Sequence, residues 1–300
     1  MARVSLPSGI EIEFEEFGVR SDPTVLLVSG FTSQLLGWDE GLCEELAASG
    51  RHVIRFDNRD VGLSSHLDGQ TVDAEAVFNA TFFGGDPVEV PYTLSDMAAD
   101  AIGLVDALDC EVVDAVGVSM GGMIVQTMAI EHPGRLRSVV SIMSTTGGPG
   151  VGLPTEAALE QLLMEPPDNR KEYIESSVGA KVWSSQRYFD PQRAREKAAA
   201  NFDRMFYPEG ATRQYAAIMV SGDRTEALKS VTVPMLVIHG WDDTLIHPSG
   251  GEATAAVVPG ASLLMLDDMG HDLPEPLWPE IVTAIVEFGD SANTRTSVNT

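Results

Sequence analysis

The segment 117–121 reads G-x-S-x-G around Ser119, a pattern that can present a serine for nucleophilic chemistry. It follows an apolar, strand-like run and precedes a helix-like stretch, so Ser119 is predicted to lie on a sharp strand-to-helix turn. Such a turn lifts the hydroxyl away from the backbone, and the flanking glycines remove Cβ clashes. Because a free hydroxyl is a poor nucleophile, this interpretation requires a base and a group that orients the base.

Two residues further along the chain can fill these roles. His271 follows an apolar run and a short turn, which predicts an imidazole on a loop at the carboxyl edge of a sheet. Asp243 follows another apolar run and would hold the imidazole in one tautomer and stabilise its protonated form. Ser119 would then attack an acyl carbonyl, and His271 would take the hydroxyl proton and return it to the leaving group.

Neighbouring residues of the same types are alternatives for both roles. Asp242 precedes Asp243 directly, and an aspartate after a strand is often only a turn former or helix N-cap. His239 and His247 are alternatives for the base, although neither occupies the late Gly-His position of His271.

Attack on a carbonyl creates an oxyanion, which requires preorganised N–H donors. The backbone amide of Met120, directly after the nucleophile, is expected to supply one donor. The loop after the strand-like run 25–29 is expected to supply the other through the amide of Phe31, with Gly30 permitting a close approach.

Short, nearly continuous apolar runs alternate with helix-like segments along most of the chain, which predicts an α/β fold with a mostly parallel sheet. Strand-like runs occupy residues 10–14, 25–29, 52–56, 112–118, 136–143, 233–239 and 262–266. Ligands bind outside the carboxyl ends of the strands in such sheets, where every candidate residue falls.

Two regions interrupt the alternation of strands and helices. Residues 66–92 are predicted to form a long functional or mobile connection. Residues 147–228 look helical, and we predict that this lid segment is inserted between core strands and covers the site. The predicted core then comprises residues 1–146 and 229–289, and the polar residues 290–300 are predicted to be a disordered tail.

The 300 residues carry 45 acidic and 19 basic side chains, for a net charge of −26, which disfavours binding to nucleic acids and anionic membranes. Cys43 and Cys110 are too few for a disulfide framework and are expected to be buried thiols. No metal-ligand spacing, signal peptide or transmembrane run is found, so we expect a cytoplasmic protein without metal or cofactor. The expected partner is a small-molecule ester, and the oligomeric state, for which a homodimer is one option, is left open.

Five segments together resemble the α/β-hydrolase superfamily, in which the triad follows the order Ser, Asp, His: VLLVSGF, FDNRDVGLS, VGVSMGGM, VIHGWDD and GHDLP. The FDNRDVGLS block and the Gly37-Trp38 pair resemble more narrowly the aclacinomycin methylesterase-type serine esterases, which remove a methyl ester from an aromatic polyketide. This resemblance implies ester hydrolysis through an acyl-serine intermediate, with Asp243 rather than Asp242 as the acid.

Four other interpretations stay open at this point. The same triad supports C–C bond hydrolysis, lactone opening or acyl transfer, and a non-enzymatic alternative is a ligand-binding receptor on this fold.

Arg59 and Asp60, in the FDNRDVGLS block, are expected to form a structural ion pair or turn.

Overall fold

The computed structural model describes residues 1–298, with side chains described as far as residue 292. The strands are β1 (Ala2–Ser5), β2 (Glu11–Phe17), β3 (Thr24–Val28), β4 (His52–Phe56), β5 (Val113–Val118), β6 (Leu136–Ile142), β7 (Met235–Gly240) and β8 (Ser262–Leu266). The α-helices are α1 (Glu40–Ala48), α2 (Ala74–Phe83), α3 (Leu94–Ala107), α4 (Met120–Glu131), α5 (Glu156–Leu162), α6 (Arg170–Ser176), α7 (Pro191–Arg204), α8 (Glu209–Ser221), α9 (Thr225–Leu228), α10 (Ser249–Val257) and α11 (Trp278–Val298).

The strands form one sheet in the order β1-β2-β4-β3-β5-β6-β7-β8. The pairs β1–β2 and β2–β4 are antiparallel, and all later neighbours are parallel. This arrangement confirms the predicted α/β fold with a mostly parallel sheet. The short strand β1 was not predicted, because its exposed sequence ARVS carries no apolar run.

Helices cover both faces of the sheet, which explains the continuous apolar runs. On one face, α3 and α4 pack against inward-pointing strand residues such as Leu26 and Ala115. On the other face, α1 and α11 pack against residues such as Val25 and Val116. Every residue of β3 and β4 is therefore buried, as expected for parallel strands between two helical layers.

A helix occupies part of the connection 66–92, for which the sequence predicts only a loop. Asp73 caps α2 by accepting a hydrogen bond from the Ala76 amide, and Gly84 ends the helix with φ of 77°. Val77 is buried on one side, whereas Phe78, Phe82 and Phe83 are exposed. The prediction failed because these apolar residues do not repeat with a clear helical period.

The last helix, α11, continues to Val298 and so into the predicted tail; that this tail is disordered stays a prediction, and residues 299 and 300 lie outside the described part of the chain. Gly289 lies within α11, at a place where a Cβ would be only 2.8 Å from a carboxylate oxygen of Asp114. One turn later Ala292 is buried, and the neighbouring Asp290 forms an ion pair with Arg51 at 2.6 Å.

The lid segment, residues 147–228, lies between β6 and β7 and contains helices α5 to α9. Buried ion pairs join it to the loop after β4: Arg204 with Asp57 at 2.7 Å and Arg213 with Asp60 at 2.8 Å. The division of the chain into a core and a separate lid stays a prediction. Among the described helices, none is both long and apolar enough to cross a membrane.

Candidate active site

Ser119 occupies a strained turn between β5 and α4, with φ of 56° and ψ of −120°. This backbone conformation is rare for residues other than glycine. Gly117 and Gly121 make the turn possible, because a Cβ on either would collide with a backbone carbonyl oxygen. The turn is held by two hydrogen bonds, from the Ser119 amide to Ile142 O at 3.0 Å and from Ser144 Oγ to Ser119 O at 2.8 Å.

The predicted oxyanion donors flank this serine. Met120 is the first residue of α4, where backbone N–H groups lack acceptors within the helix. The loop after β3 approaches from the other side, since a Cβ on Gly30 would lie 3.2 Å from the Cβ of Ser119. Phe31 follows directly and is half-buried. Both assignments stay predictions, because they concern an anion that forms only during reaction.

The lid segment fixes the loop that carries Phe31. Thr32, with φ of 56°, donates its amide to Gln214 Oε1 at 2.8 Å. The amide group of Gln214 in turn donates to Arg59 O at 3.0 Å. Gln214 is fully buried on α8 and therefore ties two core loops to the lid segment.

Asp243 and His271 are brought together at the ends of β7 and β8. The Nδ1 of His271 lies 2.8 Å from Oδ2 of Asp243. The other oxygen, Oδ1, accepts hydrogen bonds from the amides of Leu245 and Ile246, both at 2.9 Å. The structure thus places Asp243 on the imidazole, whereas no hydrogen bond or ion pair joins the neighbouring Asp242 to His271 within residues 1–298.

The Asp243 carboxylate is held in its ionised form. Burial raises its pKa, but the charges and hydrogen bonds of His271 and His239 outweigh burial and bring the pKa to about 2. A carboxylate that stays ionised at neutral pH can orient an imidazole and stabilise its protonated form.

The lid segment also holds the loop that carries His271. The backbone amide of His271 donates to Trp183 O at 2.6 Å. Asp272 Oδ1 accepts from the Ser185 amide at 3.0 Å, and Thr244 Oγ1 donates to Val182 O at 2.7 Å. These positioning contacts were not predicted, because residues about 60 to 90 positions apart in the chain carry no local sequence signal.

Ser119 and His271 are not hydrogen-bonded in the described structure. Because Asp243 binds Nδ1, Nε2 is the ring nitrogen of His271 left for exchange with a serine hydroxyl. Catalytic hydrogen bonds are often long or poorly aligned before a substrate binds and tighten in the complex.

The alternative bases lie in other surroundings. His247 is exposed, and its Nδ1 lies 3.0 Å from Ser249 Oγ at the start of α10. His239 is fully buried at the end of β7, with Nε2 2.8 Å from Ile246 O. Among these three histidines, His271 is the one whose Nδ1 binds Asp243.

Arg59 and Asp60 each form a structural ion pair, as predicted, but they pair with other residues and not with each other. Arg59 binds Asp100 through two hydrogen bonds at 2.6 and 2.8 Å. Asp60 accepts two from Arg213, both at 2.8 Å.

Of the cysteines, Cys43 is buried as expected, but Cys110 is only half-buried.

A cavity of about 310 Å³ opens at the amino ends of the strands, beside Thr24, His52 and Cys110. It contains none of the candidate residues. Within residues 1–298, no three His, Cys, Asp or Glu side chains are grouped in a way that could hold a metal ion.

Comparison with known proteins supports the same fold. The family model described as "alpha/beta hydrolase fold" matches residues 23–275. The chain belongs to the α/β-hydrolase family. The α/β-hydrolase resemblance inferred from the sequence is thereby confirmed.

Similar members of the α/β-hydrolase family include rhodomycin D methylesterases. The enzyme DauP of Streptomyces sp. (strain C5) is 27% identical over 90% of this chain and 92% of its own length. DnrP of Streptomyces peucetius is 26% identical over the same fractions of this chain and of its own length. Among solved structures, a meta-cleavage product hydrolase from Pseudomonas fluorescens superposes with a TM-score of 0.75 over 97% of this chain and 98% of its own. At 17% sequence identity, this similarity concerns the fold alone.

Proposed function

We propose that this α/β-hydrolase is a serine esterase that cleaves a carboxylic ester through an acyl-enzyme on Ser119. The observation that carries the proposal is the 2.8 Å contact between Asp243 and His271, at the same sheet edge as the strained Ser119 turn. The family and its methylesterase members independently support a hydrolase.

In the proposed reaction, Ser119 Oγ attacks the ester carbonyl while Nε2 of His271 takes the hydroxyl proton. The amides of Met120 and Phe31 would stabilise the oxyanion of the tetrahedral intermediate. The C–O bond to the alcohol then breaks, and His271 returns the proton to the leaving oxygen. Water, activated by the same imidazole, hydrolyses the acyl-serine. Asp243 stays ionised throughout, in keeping with its pKa of about 2.

For the substrate, we propose a methyl ester of an aromatic or polyketide-like compound. This part rests on the two rhodomycin D methylesterases, which are similar to this chain over nine-tenths of its length. The acidic net charge of −26 also favours a neutral or cationic substrate over an anionic one.

The first experiment measures hydrolysis of p-nitrophenyl acetate and of a panel of methyl esters by the wild type and the Ser119→Ala variant. We expect turnover by the wild type and background rates for Ser119→Ala, with a phosphonate probe attached to Ser119 in the wild type. Ser230→Ala, which removes an exposed hydroxyl, is the control and should keep full activity.

The panel distinguishes the alternatives. Labelling of Ser119 without turnover of any ester would contradict the esterase and favour C–C bond hydrolysis, lactone opening or acyl transfer. An unlabelled and inert wild type would contradict the nucleophile itself and favour a ligand-binding receptor.

A further inference from the structure

His239 is a second histidine that contacts the proposed catalytic acid. Its Nε2 lies 2.8 Å from Ile246 O and 3.3 Å from Asp243 Oδ2. A carbonyl oxygen can only accept a hydrogen bond, so Nε2 must carry the proton. This N–H donates to Ile246 O, and the carboxylate oxygen that also binds His271 lies within 3.3 Å of the same nitrogen.

The other ring nitrogen of His239 has no partner. Its Nδ1 is buried and makes no hydrogen bond within the described residues. It packs so closely against Gly251 that a Cβ there would clash with it. Within the described residues a proton on Nδ1 would have no acceptor, so the ring donates its hydrogen bond from Nε2. An unpartnered buried nitrogen is costly, and a purely structural role would be filled better by an apolar side chain.

We propose that His239 is a positioning residue that fixes Oδ2 of Asp243 in line with His271 Nδ1. The two amides of Leu245 and Ile246 hold only Oδ1. Without a second donor, Oδ2 would be held by His271 alone and would move with the imidazole. This inference rests on the proposed function, because it assigns Asp243 and His271 the roles given above.

The deciding experiment compares His239→Leu with His239→Gln. Leucine fills a similar volume without a donor, whereas the glutamine amide can donate from a position close to Nε2. We expect His239→Leu to lower kcat on p-nitrophenyl acetate by about 10- to 100-fold, the worth of one hydrogen bond to a charged group, with KM nearly unchanged. His239→Gln should recover most of the loss.

A spectroscopic readout separates positioning from a structural role. The low-field proton resonance of His271 Nδ1–H should be sharp in the wild type and in His239→Gln, and broadened by exchange in His239→Leu. The control is Thr254→Val, which removes a buried hydrogen bond to Gly250 O on the nearby helix α10 and should leave the resonance and kcat unchanged. If His239→Leu does not fold, His239→Met replaces it.

An unchanged kcat in His239→Leu, or a glutamine variant as impaired as the leucine variant, would overturn the proposal. An unchanged His271 resonance in the leucine variant would also overturn it. A wild type that hydrolyses no ester would contradict the proposed function. The His271 resonance is measured without substrate, so it would still decide whether His239 positions Asp243.

Discussion

Two loops at the carboxyl edge of the sheet each bury aspartates, but they give them different partners. The loop after β4 places Asp57 and Asp60 against arginines of the lid segment. The loop after β7 places Asp243 against histidines, His271 at 2.8 Å and His239 at 3.3 Å. Position at the sheet edge and burial are nearly the same in both loops, so the partner determines what each acid can do.

Arginine keeps its proton under all ordinary conditions, so a buried arginine–aspartate pair stays an ion pair and cannot exchange protons. Histidine exchanges protons near neutral pH, so its pairing with aspartate can serve catalysis. The pKa values of Asp57 and Asp243 also differ. Burial raises the pKa of Asp57 despite the charge of Arg204, whereas the two histidines bring the pKa of Asp243 to about 2.

The largest expected effect separates the two loops by activity. Asp243→Asn should lower kcat on p-nitrophenyl acetate by about 10⁴-fold, because the amide would favour the wrong tautomer of His271. Asp60→Asn should change kcat by less than about tenfold, because its partner Arg213 takes no part in proton transfer. Equal losses of kcat in the two variants would remove the proposed distinction.

A smaller effect is expected on stability, in the opposite loop. Arg213→Met leaves the buried Asp60 carboxylate without its cation and should lower the free energy of unfolding by about 3–5 kcal/mol. The control is Arg170→Met, which breaks a pair of the same geometry with Asp203, with both side chains more than half exposed. It should leave the urea unfolding midpoint nearly unchanged, because exposed ion pairs contribute little to stability. Similar losses of stability in both variants would show that burial does not strengthen the ion pair between Arg213 and Asp60.

The smallest effect is a pH dependence. The pKa of Asp243 falls from 3.8 to about 2 on folding, so its ionisation stabilises the fold above pH 4 and this stabilisation is lost as the pH falls toward 2. The full contribution is about 2 kcal/mol, of which about half is lost by pH 3. The raised pKa of Asp57 acts with the opposite sign, because its protonation favours the folded state.

Urea unfolding at pH 6 and pH 3 tests this contribution. The wild type should lose about 1 kcal/mol more than Asp243→Asn between the two pH values, since charge effects elsewhere are common to both proteins. Parallel losses would mean that Asp243 is not held in its ionised form by the histidines.

The central sheet and the Ser119 turn could be predicted because each depends on local sequence. Continuous apolar runs such as those of β3 and β4 arise from burial on both faces, and the paired glycines around Ser119 arise from backbone collisions. The choice of Asp243 over Asp242 followed from resemblance alone and stays a prediction, supported by the 2.8 Å contact between Asp243 and His271.

The contacts that hold the candidate site together could not be predicted in this way. Gln214 bonds the Thr32 amide across 182 positions of the chain, and Ser185 bonds Asp272 across 87. Such pairs depend on how the lid segment lies over the sheet, which no local pattern encodes. The missed helix α2 likewise owes its ends to Asp73 and Gly84 rather than to a hydrophobic period.

The backbone of Ser119 implies a trade-off between activity and stability at position 119. Its φ of 56° with ψ of −120° suits glycine, whose missing Cβ removes the steric cost of about 1–3 kcal/mol. Because glycine also gains freedom in the unfolded chain, Ser119→Gly should stabilise the fold by on the order of 1 kcal/mol in urea unfolding while abolishing turnover. Selection for thermal resistance alone would therefore favour an inert protein, so any screen for stabler variants must retain an assay of hydrolysis.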